Sequence, residues 1–120
     1  MRKNLAEAIT EEQYQAIGFL CRDALISLAQ AVYIPELHPT IDGIVPSETD
    51  AGRMLDAYIA VELGSGPNEE ARAHARAALK LANSLLHRRT ADFRQAAMCV
   101  EATTTVVNVI AIASGRRDPQ

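Results

Sequence analysis

The stretch Ala91–Ser114, ADFRQAAMCVEATTTVVNVIAIAS, decides the fold. At 100° per residue, Phe93, Ala96, Ala97, Val100, Val107 and Ala111 share one side of a helix, while Met98, Ala102, Val106, Val109 and Ala113 fall on the other. Both sides call for burial. The segment therefore reads as the central helix of a bundle, wrapped by the others. Gly115 ends it, and the basic pair Arg116-Arg117 suits the negative end of the helix dipole.

Working back from this segment, Thr90 is placed to cap it, and a third helix over 69–87 precedes it. That helix turns Ala71, Ala75, Ala78, Leu81, Ala82, Leu85 and Leu86 inward. It starts after Gly64-Ser65-Gly66-Pro67-Asn68, with Asn68 as N-cap and Glu69 and Glu70 at the positive end of the dipole. So short a connection makes it an antiparallel neighbour of a second helix over 49–63. The glycine-rich run lacks the preceding strand and the Lys-Ser or Lys-Thr of a phosphate loop. The second helix offers Ala51, Met54, Leu55, Tyr58 and Ile59 as its buried side, Ser47 or Thr49 as its cap, and Glu62 at its end turned to solvent.

The first main helix, over 11–33, follows the capping box of Thr10 with Gln13 and carries the stripe Ile17, Leu20, Cys21, Ala24, Leu25, Leu28 and Val32. Asn4 with Glu7 is a second capping box, for a short preceding helix or a continuous one. Between the first and second main helices, Ile34–Glu48 is irregular, broken by Pro35, Pro39 and Pro46, with a turn at Asp42-Gly43 and with Ile41 and Ile44 expected to pack inward. Glu36, His38 and Asp42 in this loop have no recognised metal-ligand spacing, so no metal site and no cofactor is assigned.

The fold class that follows is all-α: an antiparallel four-helix bundle with a long loop between its first and second main helices, residues 1–120 forming one domain. A chain of 120 residues that is 48% hydrophobic can bury one sizeable core. Its net charge of −3 gives no general attraction to nucleic-acid phosphates, so RNA binding would need a local basic patch. Cys21 and Cys99 sit at apolar positions of separate helices and read as reduced core residues of a cytoplasmic protein. Acidic residues follow the charged N-terminus before any long apolar run, which argues against a signal peptide. The uncharged run Ala102–Gly115 is short for a membrane span and includes Thr103, Thr104, Thr105 and Asn108, so no membrane association is expected.

Three sets of residues stand out as candidate sites. Phe19, Ile26 and Tyr33 recur every seven residues opposite the main stripe of the first helix; they are either covered by the following loop or the N-terminal segment or form a homodimer seam. Arg72, Arg76, Asn83 and His87 form a polar ribbon on the third helix, either a solvated face or a ligand site in which guanidinium, amide and imidazole bind a phosphodiester. Arg94, Glu101 and Asn108 make a polar line on the central helix. About 10 Å along the axis separates Arg94 from Glu101, so each looks to another helix for a partner; the line either fixes register or pairs across a two-fold axis, or is a solvated face, or gives Glu101 a ligand or acid–base role.

The segment Ala82-Asn83-Ser84-Leu85-Leu86-His87 resembles the motif of HEPN domains, small all-helical bundles of bacterial toxin and anti-phage systems. RNA-cleaving members carry an Arg, commonly followed by a polar residue, and a His a few positions later near a dimer interface. By that comparison His87 matches the His and Asn83 the polar position, while Ala82 stands in place of the Arg, with Arg88 and Arg89 following the His. With the essential Arg replaced, the resemblance implies a degenerate HEPN-like bundle, structural or binding and not cleaving, in a bacterial defence or stress system.

The expected function is an interaction and dimerisation module without catalysis of its own, a homodimer or the partner of another protein. The alternative is a HEPN-like RNA-binding protein or weak metal-independent endoribonuclease using His87 and Asn83, with Arg72, Arg76, Arg88 and Arg89 contributing charge.

Overall fold

A computed structural model describes residues 2–88 and 92–117. These form five helices and no strand: α1 (Arg2–Glu7), α2 (Glu11–Val32), α3 (Ala51–Glu62), α4 (Glu69–Arg88) and α5 (Phe93–Ala113), with a 3₁₀ turn at Gly66–Asn68 before α4. The four long helices are those expected from the apolar periodicity. The short α1 is separate from α2, and Asn4 lies inside it rather than capping it.

Local chemistry sets the helix starts. Thr10 and Gln13 form a reciprocal capping box at α2. Asp50, not Ser47 or Thr49, caps α3, its carboxylate accepting the Arg53 backbone N–H at 3.3 Å. Asp92 caps α5 in the same way, accepting from Gln95 N–H at 2.8 Å. Thr90, expected in that role, lies outside the described residues, as does Arg89. Asn68 ends the 3₁₀ turn, and its amide donates to Ser65 Oγ at 2.9 Å.

Paired residues show how the helices run. Tyr14 meets Phe93 edge-on at 6.4 Å and Arg116 donates to the Ala31 carbonyl at 2.9 Å, so α2 and α5 run in the same sense. Arg76 faces Asp56, and Arg72 Nη1 donates to the Leu63 carbonyl at 2.8 Å, so α3 and α4 are antiparallel as expected. Residues of α2 near Arg22 adjoin Ala51, whereas Tyr33 contacts His38, which contacts Tyr58. Hence α3 runs with α2, and the antiparallel expectation does not extend to that pair. The loop over 33–50 returns alongside the helices before α3 begins.

Its anchors are polar. Arg53 Nη2 holds both Asp42 oxygens at 2.7 and 2.8 Å, and Ile44 N–H donates to Asp42 Oδ1 at 3.0 Å. The Ile44 N–H, with Thr40 and Arg53, keeps the Asp42 carboxyl below its usual range. Gly43 supplies the positive φ of 73° that this turn requires. Ile41 and Ile44, expected inside, are exposed at the loop tip, because the turn is tied down through side-chain oxygens and not by burial. His38 is instead buried, as is Pro46, and is flanked by Tyr33 and Tyr58.

Two clusters make the core. The larger joins Leu25, Ala29 and Val32 of α2 to Leu55, Tyr58 and Ile59 of α3, Ala75, Leu79 and Ala82 of α4, and Val106 and Ile110 of α5. The smaller joins Ala8, Ile17, Cys21, Leu85, Ala96, Cys99 and Val100. Leu20, Ala71 and Leu81, expected in the core, are exposed, while Ala29 and Leu79 take inward positions.

The central segment is not wrapped on both sides. Ala96, Cys99, Val100, Ala102, Thr103, Val106 and Ile110 form its buried face, whereas Phe93, Met98 and Ile112 are exposed. Among the described residues α5 is the one helix long and apolar enough to cross a membrane by length and composition, and 39% of its most apolar window is buried. One of its faces thus lies in the core between α2 and α4 while the other is open.

Candidate functional site

The polar ribbon of α4 divides into two parts with different surroundings. Arg72 closes the C-terminal end of α3 through the Leu63 carbonyl, and Arg76 Nε lies 3.4 Å from Asp56 Oδ1, so both join α4 to α3. Asn83 and His87 instead open onto a cavity of about 450 Å³ between α2, the start of α3 and α4. Its other walls are Arg22, Leu25 and Ile26 of α2, Ser47, Thr49 and Asp50 of the loop, Ala51 and Gly52 of α3, and Leu86 of α4.

Asn83 is seated directly against the first turn of α3. A Cβ at Gly52 would fall 2.5 Å from Asn83 Nδ2, so a side chain at position 52 would displace the amide. One turn further on, His87 Nδ1 lies 2.7 Å from the Asn83 carbonyl. A carbonyl only accepts, so Nδ1 carries the proton of the neutral ring and Nε2 is left as its acceptor. Arg88 is exposed at the end of α4. Leu25, Ile26 and Leu86 give the cavity an apolar floor beneath this polar rim.

Ala82 is fully buried among α2, α3 and α5. It points into the core, so no side chain from this position reaches the cavity. His87 is therefore set beside an amide and, across the cavity, Arg22. That set can bind and orient an anion; Asp50, the one carboxylate in the lining, is occupied as the α3 cap. Among the described residues no group of three His, Cys, Asp or Glu side chains is placed to hold a metal ion.

The first-helix stripe is split. Ile26 packs against the large core cluster and lines the cavity, and Tyr33 packs on the same cluster with its ring 5.9 Å from His38. Phe19 alone stands out, 66% exposed, one turn before Arg22. Arg94, Glu101 and Asn108 lie on the open face of α5, away from the bundle's own helix contacts.

Arg22, Asp50 and Gly52 are site residues that sequence reasoning missed. Arg22 had a signal, since it interrupts the sector of α2 that carries Phe19 and Ile26, where a cation separates two large apolar groups. Asp50 and Gly52 reach the site only through the returning loop. No protein-family model, curated protein or solved structure matches the chain.

Proposed function

We propose that the chain is a homodimerising interaction module, a HEPN-like four-helix bundle without catalysis of its own, serving a cytoplasmic bacterial defence or stress system, with the open face of α5 as its seam. One observation carries this reading: the helix that is apolar enough to span a membrane has only 39% of its most apolar window buried. Leaving Met98 and Ile112 in water forfeits the stabilisation that their burial would bring, about 25 cal/mol per Å² of apolar surface.

The occupant that suits this face is a second copy of it. Ala97, Thr104 and Thr105 are small enough for two helices to approach closely. A two-fold axis beside Ala97 and Met98, with the helices antiparallel, sets Arg94 opposite the partner's Glu101 and repeats the pair on the other side. Light scattering at several concentrations should give a dimer mass. Arg94→Glu places like charges at both ends of the seam and should yield monomers, and adding Glu101→Arg to that variant should restore the dimer. A monomer at high concentration would reject the seam, as would a chain that stays dispersed only in detergent.

A second reading has its own observation. Asn83 and His87 open together on one cavity, with Arg88 exposed beside them, which favours HEPN-like RNA binding. Replacing Arg88 and Arg89 together by Ala should then weaken binding to single-stranded RNA and flatten its salt dependence. Binding that is absent, or indifferent to salt, would remove this reading.

A further inference from the structure

We infer that the cavity between α2, α3 and α4 is a binding site for a small molecule bearing a phosphate monoester on a compact apolar body, with Arg22 as its charge anchor. The inference stands apart from the α5 seam and does not depend on it.

The donors converge from separate parts of the chain. Arg22 approaches from α2, Asn83 and His87 from α4, and the hydroxyls of Ser47 and Thr49 from the returning loop. Neighbouring arginines are already committed: Arg53 to Asp42, Arg72 to the Leu63 carbonyl and Arg76 to Asp56. Arg22 has no ion pair or hydrogen bond to any described residue, although it lines the same wall as Leu25 and Ile26. A guanidinium offers its donors as a planar fork, which suits phosphate oxygens.

Phosphate fits this donor set better than carboxylate does. A carboxylate presents its acceptor sites in one plane, whereas the three terminal oxygens of a monoester spread out of a plane and so suit a guanidinium, an amide and hydroxyls that come from α2, α4 and the loop. His87 adds a partner whose neutral ring, with its proton on Nδ1, accepts a P–OH hydrogen at Nε2. The Asp50 carboxylate, held at the α3 cap, repels anions, so Arg22 has to offset it for the phosphate to bind, and a second anionic group on the ligand is disfavoured. The apolar floor then takes the ester's body, and about 450 Å³ lies within the usual size of small-molecule sites.

Phenyl phosphate is the probe, followed in ¹H–¹⁵N spectra of the full chain, with benzyl alcohol as its neutral counterpart and hexauridylate as the RNA control. Phenyl phosphate should cause saturable shifts centred on the Gly52, Asn83 and His87 resonances, and benzyl alcohol should not. Arg22→Gln, a change at an exposed side chain, should weaken binding by about tenfold, the loss of one charge-assisted contact. Gly52→Ala should weaken it several-fold by displacing the Asn83 amide, and thermal unfolding of that variant checks that the fold is retained.

The inference is overturned if phenyl phosphate gives no saturable shift up to about 10 mM, the weak end of small-molecule affinity. Equal shifts from benzyl alcohol, or an affinity unchanged in Arg22→Gln, would overturn it too. Tighter binding of hexauridylate at the same residues would assign the cavity to RNA instead.

Discussion

The thiols of Cys21 and Cys99 are hydrogen-bonded to one another in the buried layer between α2 and α5, with Thr103 beside both. The bond from Cys99 draws the Cys21 thiol down to about 7 against the opposing effect of burial. The same bond, then burial and the charge of a Cys21 thiolate, push Cys99 well above its ordinary value. The two sulfurs therefore lose protons in sequence, the second with difficulty.

Their effect on stability has opposite signs in two pH ranges. Between about 7 and the ordinary thiol value of 9.0, the folded chain binds fewer protons at Cys21 than the unfolded chain does, so stability should rise with pH. Above 9.0 the unfolded chain releases the Cys99 proton while the folded chain retains it, so stability should fall. Unfolding temperatures across this span should trace a maximum near pH 9 that disappears in the Cys21→Ala, Cys99→Ala double variant. An unchanged profile in that variant would mean that other groups set the alkaline limit.

The cap of α3 gives a second prediction. Asp50 satisfies the Arg53 N–H, so Asp50→Ala should cost about 1 kcal/mol and Asp50→Asn much less. Ser47→Ala and Thr49→Ala should leave the urea midpoint nearly unchanged. If Ser47→Ala proved as costly as Asp50→Ala, the helix would be capped from further back in the loop.

The sequence reveals most where a rule acts over a few residues. Apolar periodicity located α2, α3, α4 and α5 to within about two residues, and the Thr10 and Gln13 box marked the start of α2, because both are local effects. An apolar wheel shows how much of a helix prefers burial but not how many neighbours are available to cover it, so α5 was expected to be enclosed and is open on one face. Pro35, Pro39 and Pro46 announced an irregular loop, yet nothing in them reports its return path. The meeting of Cys21 with Cys99, and of Arg22 with Asn83, depends on which helices run together. Half of the cavity was legible as Asn83 and His87 on one face of α4, and the other half was set by tertiary contacts.

His38 supports the last prediction, because it fixes the returning loop from inside. Ile34 N–H donates to its Nδ1 at 3.0 Å, so the neutral ring carries its proton on Nε2, which lies 3.7 Å from Glu62 Oε1 and has no hydrogen-bond partner. Its ring centroid is 5.1 Å from that of Tyr58, whose phenol is raised first by burial and then by the charge of Glu62. His38→Ala would empty this space and leave the Ile34 N–H unpaired, at a cost of about 2–4 kcal/mol. Urea unfolding should register that loss, and amide exchange at Ile34 should quicken more than exchange in the middle of α2. Glu62→Gln leaves the packing in place and should bring the Tyr58 phenol back toward its ordinary value in an ultraviolet titration. A Tyr58 titration unmoved by Glu62→Gln would leave burial alone as the cause of the shift, and a cost below about 0.5 kcal/mol for His38→Ala would show that the loop is held by Arg53 and Asp42 instead.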